Sequence, residues 1–178
     1  MEKILVNMDG VSHGDPGESA IGAVLVDDIG NVVEEVSERI GRTTDQVAKY
    51  RALIEACKAA SQYSPRRVIF FTDSQMVANQ VNGQARVIQP HLENLNHIAL
   101  DLLQRLPEWN VRHVDRSVNW HAHRLAEKAL SGTAPLVAKT PKDAYYDELR
   151  RKLDLLSKTD QKKLLEFANH LLQRAQRH

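Results

Sequence analysis

The sequence predicts an α/β fold in which a mixed five-stranded sheet is flanked by helices. Three observations lead to this class. Strand-like segments open the chain, an uninterrupted apolar run at 68–71 is typical of a central strand buried on both faces, and segments with apolar residues at helical spacing follow. The length of 178 residues fits one domain with a short appendage.

The first three strands are predicted at 3–8, 20–28 and 31–40. A turn-rich segment from Gly10 to Gly17 separates the first two strands, and Gly30 and Asn31 introduce the third. Consecutive strands that are joined by short turns pair antiparallel to one another. We therefore expect an antiparallel meander at the start of the chain.

The rest of the first 132 residues is predicted to contain two further strands and four helices. Thr44 or Asp45 is a candidate N-cap, and apolar residues then recur at helical spacing up to about Tyr63. The later segments are a strand at 68–72, helices at 74–81 and 89–106, a strand at 111–115 and a helix at 120–130. The single cysteine, Cys57, is interpreted as a small core residue, and a lone cysteine excludes an intramolecular disulfide.

A helical appendage is predicted at the end of the chain. Gly132, Pro135 and Pro141 indicate a linker at 133–142. Amphipathic helices at 143–156 and 160–175 then form a C-terminal helical hairpin over 143–178. We expect its leucine stripes to dock on the chain's own domain, since an undocked apolar face would favour self-association.

The formal net charge is +1, but the charge is unevenly distributed. Residues 1–132 contain 14 Lys/Arg and 17 Asp/Glu, a net charge of −3, whereas residues 133–178 contain 10 and 6, a net charge of +4. Because proteins that grip phosphates usually carry a basic surface, such a surface is expected to be local or to lie in the tail. No run of roughly 18 apolar residues occurs and the start of the chain turns polar early, which favours a cytoplasmic protein without a membrane partner.

Four blocks of sequence resemble the type 1 ribonuclease H family. In chain order they are Asp9–Gly17, Thr43–Ile54, Thr72–Gly83 and Val114–Ala126. The blocks occur in the family's order and at its spacing. The resemblance therefore implies a ribonuclease H-like domain over residues 1–132, with the tail outside it.

The resemblance also implies a chemistry. The family hydrolyses the RNA strand of an RNA–DNA hybrid with two Mg²⁺ ions roughly 4 Å apart, which are held by Asp, Glu, Asp and Asp in chain order. Asp9 and Asp73 match the first and third of these positions, but Lys49 and His123 occupy the second and fourth. With these two substitutions the net charge of the site changes from about −4 to about −1.

This charge leads to our main hypothesis, a ribonuclease H-like protein with a degenerate, inactive two-metal site. We expect the Lys49 ammonium to lie between Asp9 and Asp73, because an ammonium group donates hydrogen bonds to both carboxylates and cannot activate water as a metal does. Metal binding by Asp9 and Asp73 is then weak or absent. No cofactor is expected, with Mg²⁺ or Mn²⁺ needed only for residual activity.

Two alternative functions stay open at this point. One is an active nuclease for RNA–DNA hybrids that recruits Glu55, Asp115 or His123 together with Mn²⁺. The other is a protein-interaction module that assembles through the predicted hairpin at 143–178.

The resemblance assigns nucleic-acid contacts to a further set of residues. They are Ser12, Gly14, Asp15, Asp45, Gln46 and Gln75. Asp15 and Asp45 replace asparagines of the family, and their negative charge opposes phosphate. We therefore expect only weak binding of an RNA–DNA hybrid or another nucleic acid. The residue types at Ser12, Gly14 and Gln75 are retained, which either nucleic-acid contacts or the needs of the turn would explain.

Overall fold

The computed structural model describes residues 1–132, together with residues 159, 160, 162–164 and 166. The chain divides into two units, Met1–Pro135 and Leu136–His178. The predicted linker at 133–142 and most of the predicted hairpin at 143–178 lie outside the described residues. Within the second unit the described residues are helical, and Asp160 pairs with Lys163 at 3.6 Å. Among the described helices, none combines the length and apolar character needed to cross a membrane.

The first unit is built on a mixed five-stranded sheet, as predicted. Its strands are β1 (Lys3–Gly14), β2 (Gly17–Val26), β3 (Val32–Thr43), β4 (Arg67–Thr72) and β5 (Trp109–His113). Their order across the sheet is β3-β2-β1-β4-β5. The β1–β2 and β2–β3 pairs are antiparallel, whereas β1–β4 and β4–β5 are parallel. The meander and the two later strands therefore join at β1.

Four helices accompany the sheet. They are α1 (Asp45–Ser61), α2 (Gln75–Val81), α3 (Pro90–Leu103) and α4 (Trp120–Ser131). The predicted N-cap of α1 is Thr44, whose side chain accepts a hydrogen bond from the Val47 amide at 3.3 Å. Cys57 is fully buried in α1, as interpreted from the sequence, and burial raises the pKa of its thiol.

A buried polar contact joins three of these helices. The Tyr50 hydroxyl on α1 donates to the Gln80 side-chain oxygen on α2 at 2.7 Å. It also accepts a hydrogen bond from the Asn96 amide on α3 at 3.1 Å. Because buried polar groups are costly when unpaired, this network fixes α1 relative to α2 and α3.

The segment predicted as a turn from Gly10 to Gly17 is largely strand, which corrects the sequence-based boundary. β1 continues to Gly14, and only the Asp15–Pro16 corner reverses the chain. The reason is tertiary, because the meander partner β2 supplies ladder contacts for this whole stretch, up to the Gly14–Gly17 pair. The Ser12 hydroxyl adds a hydrogen bond to the Thr43 carbonyl at 2.9 Å, which ties this stretch to the end of β3.

Two glycines allow helices to approach opposite faces of the sheet. A Cβ atom on Gly10 would lie 2.2 Å from the backbone of Ala48 in α1. A Cβ atom on Gly22, which belongs to β2, would lie 2.2 Å from the carbonyl oxygen of Ala122 in α4. Gly22 pairs with Asp9, the neighbour of Gly10, and successive strand residues face opposite sides. Helix α1 therefore packs on one face, and α4 packs on the face that carries Asp9.

The contact at Gly10 predicts the effect of a single methyl group. Gly10→Ala should lower the free energy of unfolding by about 3 kcal/mol, because the helix backbone cannot move aside as a flexible side chain would. Gly41→Ala is the control. Gly41 has a φ of 81° with nothing within 4 Å of an added Cβ, so its alanine variant should lose only about 1–2 kcal/mol through backbone strain. Urea unfolding measures both, and an equal or smaller loss at Gly10 would contradict the close approach of α1.

Candidate active site

Asp9 lies at the centre of the candidate site. It belongs to β1, just beyond the last β1–β4 pair, which joins Asn7 to Phe71. Asp73 follows the end of β4 directly, so the parallel arrangement brings both aspartates to the same edge of the sheet. The side chain of Asp9 is completely buried, and that of Asp73 is 9% exposed. Two carboxylates in such a protected place require positive partners.

Lys49 supplies the positive charge that these carboxylates need. Its Nζ atom donates to Asp9 Oδ1 at 2.5 Å and to Asp73 Oδ1 at 2.7 Å. The lysine side chain is 13% exposed. It is carried by the first half of α1, where Gly10 lets the helix backbone approach β1. The ion-pair cluster expected from the sequence is therefore present in the structure.

His123 occupies the other oxygen of the buried aspartate. Its Nδ1 atom lies 2.7 Å from Asp9 Oδ2, and its Nε2 atom lies 3.1 Å from an Arg116 guanidinium nitrogen. The same guanidinium nitrogen lies 3.4 Å from Nδ1, so the guanidinium lies against the imidazole ring, close to both ring nitrogens. Hydrogen bonds join the imidazole, the two carboxylates and the ammonium group, and the guanidinium contacts the imidazole.

The ionisation of Asp9 and Lys49 follows from this arrangement. Burial raises the pKa of Asp9, but the hydrogen bond from His123 and the charge of Lys49 outweigh it, and the pKa is lower than usual. Burial lowers the pKa of Lys49, but the charges and hydrogen bonds of Asp9 and Asp73 outweigh it, and the pKa is raised. Both groups therefore stay charged at neutral pH.

This donor set does not fit a pair of Mg²⁺ ions. Both oxygens of Asp9 already accept hydrogen bonds, and the ammonium of Lys49 lies between the two carboxylates. Among the described residues, no group of three or more His, Cys, Asp or Glu side chains is arranged to hold a metal ion. Glu55, Asp115 and His123, the ligands considered for an active nuclease, do not form such a group. Glu55 instead pairs with Lys58 at 2.8 Å.

The predicted nucleic-acid residues lie at element boundaries of the first unit. Asp45 and Gln46 are exposed at the start of α1, and Gln75 is exposed at the start of α2. Asp15 is exposed at the β1–β2 corner. Although Asp45 is exposed, partial desolvation by its surroundings raises the pKa of its carboxyl group. The charge of Lys49 lowers this pKa and the charges of Asp9 and Asp73 raise it, so Asp45 lies within the electrostatic field of the buried cluster.

Ser12 and Gly14 belong to the end of β1. The Ser12 hydroxyl lies 2.6 Å from the Gly14 carbonyl and 2.9 Å from the Thr43 carbonyl. These two hydrogen bonds stabilise the β1–β2 corner, so Ser12 has a structural role there whether or not it also contacts nucleic acid.

Sequence reasoning missed two residues that organise the site. Asn119 is fully buried and donates to the carbonyl of Met8 at 2.8 Å, which anchors the start of α4 beside Asp9. Before a helix an asparagine indicates an N-cap, but its side chain does not cap α4. The other missed residue is Arg116, whose loop position gives no periodic signal.

Comparison with known proteins places this geometry in a family. A family model described as reverse transcriptase-like matches residues 7–129. The chain belongs to this ribonuclease H-like family. The family and the fold predicted from the sequence are thereby confirmed.

Similar curated proteins include one named ribonuclease HI. Ribonuclease HI of Halobacterium salinarum is 38% identical over 122 residues, which are 68% of this chain and 61% of that protein. The bifunctional protein Rv2228c of Mycobacterium tuberculosis is 34% identical over 137 residues, 76% of this chain and 38% of that protein. The chain thus spans less than two thirds of the length of these curated relatives.

Solved structures agree with the architecture. The crystal structure of RNase H1 from Halobacterium salinarum has a TM-score of 0.71 and 36% identity, and the match covers 74% of this chain and 99% of that one. LC11-RNase H1 in complex with an RNA/DNA hybrid has a TM-score of 0.70 and 29% identity, with 72% and 97% covered. The ribonuclease H fold is therefore common to this chain and to a protein seen with hybrid.

The Lys49 cluster predicts a specific dependence of stability on pH. Lys49→Met should lower the free energy of unfolding by about 3 kcal/mol at pH 7, because Asp9 and Asp73 then face each other without the ammonium. Asp9 has a lowered pKa in the folded protein, so its stabilising contribution is present above its unfolded pKa of about 4 and is lost as pH falls below it. The difference between the two proteins should therefore narrow on acidification.

Lys58→Met is the matched control for this measurement. Lys58 lies on the same helix, and its side chain is 52% exposed in an ion pair with Glu55. Its loss should change the free energy of unfolding by about 0.5 kcal/mol or less. Urea unfolding of both variants at neutral and acidic pH is the measurement. If Lys49→Met lowers the free energy of unfolding no more than Lys58→Met does, the buried ion pair does not exist in solution.

Proposed function

We propose that this chain is a ribonuclease H-like protein that binds RNA–DNA hybrid weakly and does not cleave it by two-metal hydrolysis. One observation carries the proposal, the ammonium of Lys49 within hydrogen-bond distance of both Asp9 and Asp73. In the family these two positions hold the metal ions. A protonated lysine at their centre stands where a metal ion would have to bind.

Lysine does not replace the chemical work of the metals. Two-metal catalysis needs one ion to generate a nucleophile from water and one to stabilise the leaving oxygen. An ammonium group has no lone pair to accept a proton, and the raised pKa of Lys49 keeps it protonated at neutral pH. His123 does not restore the metal site either, because its Nδ1 atom contacts Asp9 and the Arg116 guanidinium lies against its ring.

The binding half of the proposal rests on the family and on the surface around the site. LC11-RNase H1, which has the same fold, is seen in complex with an RNA/DNA hybrid. The corresponding edge in this chain carries the exposed carboxylates of Asp15 and Asp45. Because these charges repel phosphate, hybrid is expected to bind less tightly than in relatives with asparagine there.

Neither alternative function gains comparable support. An active nuclease would need Glu55 or Asp115 to complete a metal site, and the described residues contain no such group. Assembly through the hairpin would depend on 143–178, most of which lies outside the described residues.

The proposal predicts the outcome of a cleavage assay. The purified chain should leave a labelled RNA–DNA hybrid intact in Mg²⁺ and in Mn²⁺. The Lys49→Glu/His123→Asp double variant should gain metal-dependent cleavage of the RNA strand, since it rebuilds four carboxylates. The readout is the pattern of labelled RNA fragments.

A third variant is the control for contaminating nuclease. The double variant with Asp9→Asn added should be silent, because it lacks the most buried of the four ligands. Cleavage by the unmodified chain at a rate that the double variant merely matches would show that the protein is an enzyme with a rearranged site.

A further inference from the structure

We propose that Lys49 and Arg116 take the electrostatic place of the two metal ions, so that this protein binds RNA–DNA hybrid without any divalent cation. The inference rests on the proposed function and deepens it, because it concerns how the same site receives the phosphate backbone. It starts from the poor fit between these residues and a pair of Mg²⁺ ions.

The net charge of the site matches that of a metal-loaded one. Four carboxylates with two Mg²⁺ ions have a net charge of zero, whereas the same carboxylates without metal have a charge of about −4 and repel phosphate. In this chain Asp9 and Asp73 contribute two negative charges, and Lys49 and Arg116 contribute two positive charges. His123 is left out of this sum, because either protonation state of its imidazole leaves the total at zero or above. The site therefore has the charge of a metal-loaded ribonuclease H site, with cations that are part of the chain.

The two cations are held in place by different contacts. Lys49 is fixed by its two carboxylates and is only 13% exposed, so it neutralises the buried part of the site. Arg116 lies in the exposed loop between β5 and α4, and its contact with His123 links it to Asp9. A guanidinium presents five donors in a plane, a geometry that suits a phosphate group. Arg116 is therefore the side chain that would meet the backbone.

Two further acidic groups, Asp45 and Glu127, surround this neutral set of four charges and lower its affinity for phosphate. Asp45 is exposed and stands four residues before Lys49, whose charge partly offsets it. Glu127 on α4 lies 3.0 Å from the His13 Nε2 atom, and its other carboxylate oxygen lies 3.9 Å from the His123 Nε2 atom. Both acids lie toward solvent, where salt screens their repulsion. Hybrid binding is thus expected to be modest and sensitive to salt.

The test compares hybrid binding with and without divalent ions. The full chain is titrated into a fluorescently labelled RNA–DNA hybrid in EDTA and then in Mg²⁺, with KCl adjusted to equal ionic strength, and anisotropy gives the Kd. The two Kd values should agree within about twofold, since the site is already neutral. The Lys49→Glu/His123→Asp variant should bind appreciably only with Mg²⁺, which shows that the assay detects a divalent requirement.

Substitutions at Arg116 test its assigned role. Arg116→Gln should weaken binding about tenfold and reduce the slope of log Kd against log salt by about 1. Arg116→Lys should retain most of the affinity, because it keeps the charge. The control is Arg66→Gln, at the start of β4 and therefore at the opposite end of that strand from Asp73. Arg66 forms only a long 3.7 Å surface pair with Glu2, so its variant should bind as the unmodified chain does.

Each outcome separates this inference from the proposed function. Binding by the unmodified chain that requires Mg²⁺ overturns the inference and leaves the proposed function standing. Binding in EDTA that Arg116→Gln does not change overturns the role of Arg116. Absence of hybrid binding in both conditions overturns both proposals. Metal-dependent cleavage by the unmodified chain overturns both proposals, since a site that binds catalytic metal ions does not hold Lys49 in their place.

Discussion

The structure of the site depends on one interaction, the ammonium of Lys49 placed between the carboxylates of Asp9 and Asp73. Neighbouring parallel strands force these two aspartates to the same edge of the sheet, where burial makes their mutual repulsion costly. In the ribonuclease H family metal ions relieve this repulsion, and in this chain a side chain relieves it. The protein therefore carries its own counter-charge for the two aspartates, and under the proposed function this ammonium replaces the metal ions without their chemistry.

Close packing of two helices makes this solution possible. Gly10 lets the backbone of α1 approach β1, and Gly22 lets α4 approach β2. Lys49 and His123, which these helices carry, reach the two oxygens of Asp9 from there. Asn119 adds a buried anchor between α4 and β1. The scaffold of the family is thus retained, and the proposed difference in function rests on the side chains that it positions.

Much of the fold follows from local sequence. The alternating meander, the apolar run at β4 and the Thr44 cap predict elements whose bounds differ from the structure by only a few residues. The main error was the predicted turn from Gly10 to Gly17, because pairing with β2 extends the strand through residues that have turn-like composition. The hairpin at 143–178 stays a prediction.

The sequence by itself determined the charge at the four ligand positions, because the four motif blocks locate these positions and the residue types at Lys49 and His123 are read directly. It did not determine where those charges lie. The Asp9 contact with His123 joins residues 114 positions apart, and the Lys49 contact with Asp73 joins residues 24 apart. Such distances are set by how helices pack on the sheet, not by local periodicity. For the same reason only the tertiary structure identified Arg116 as part of the cluster.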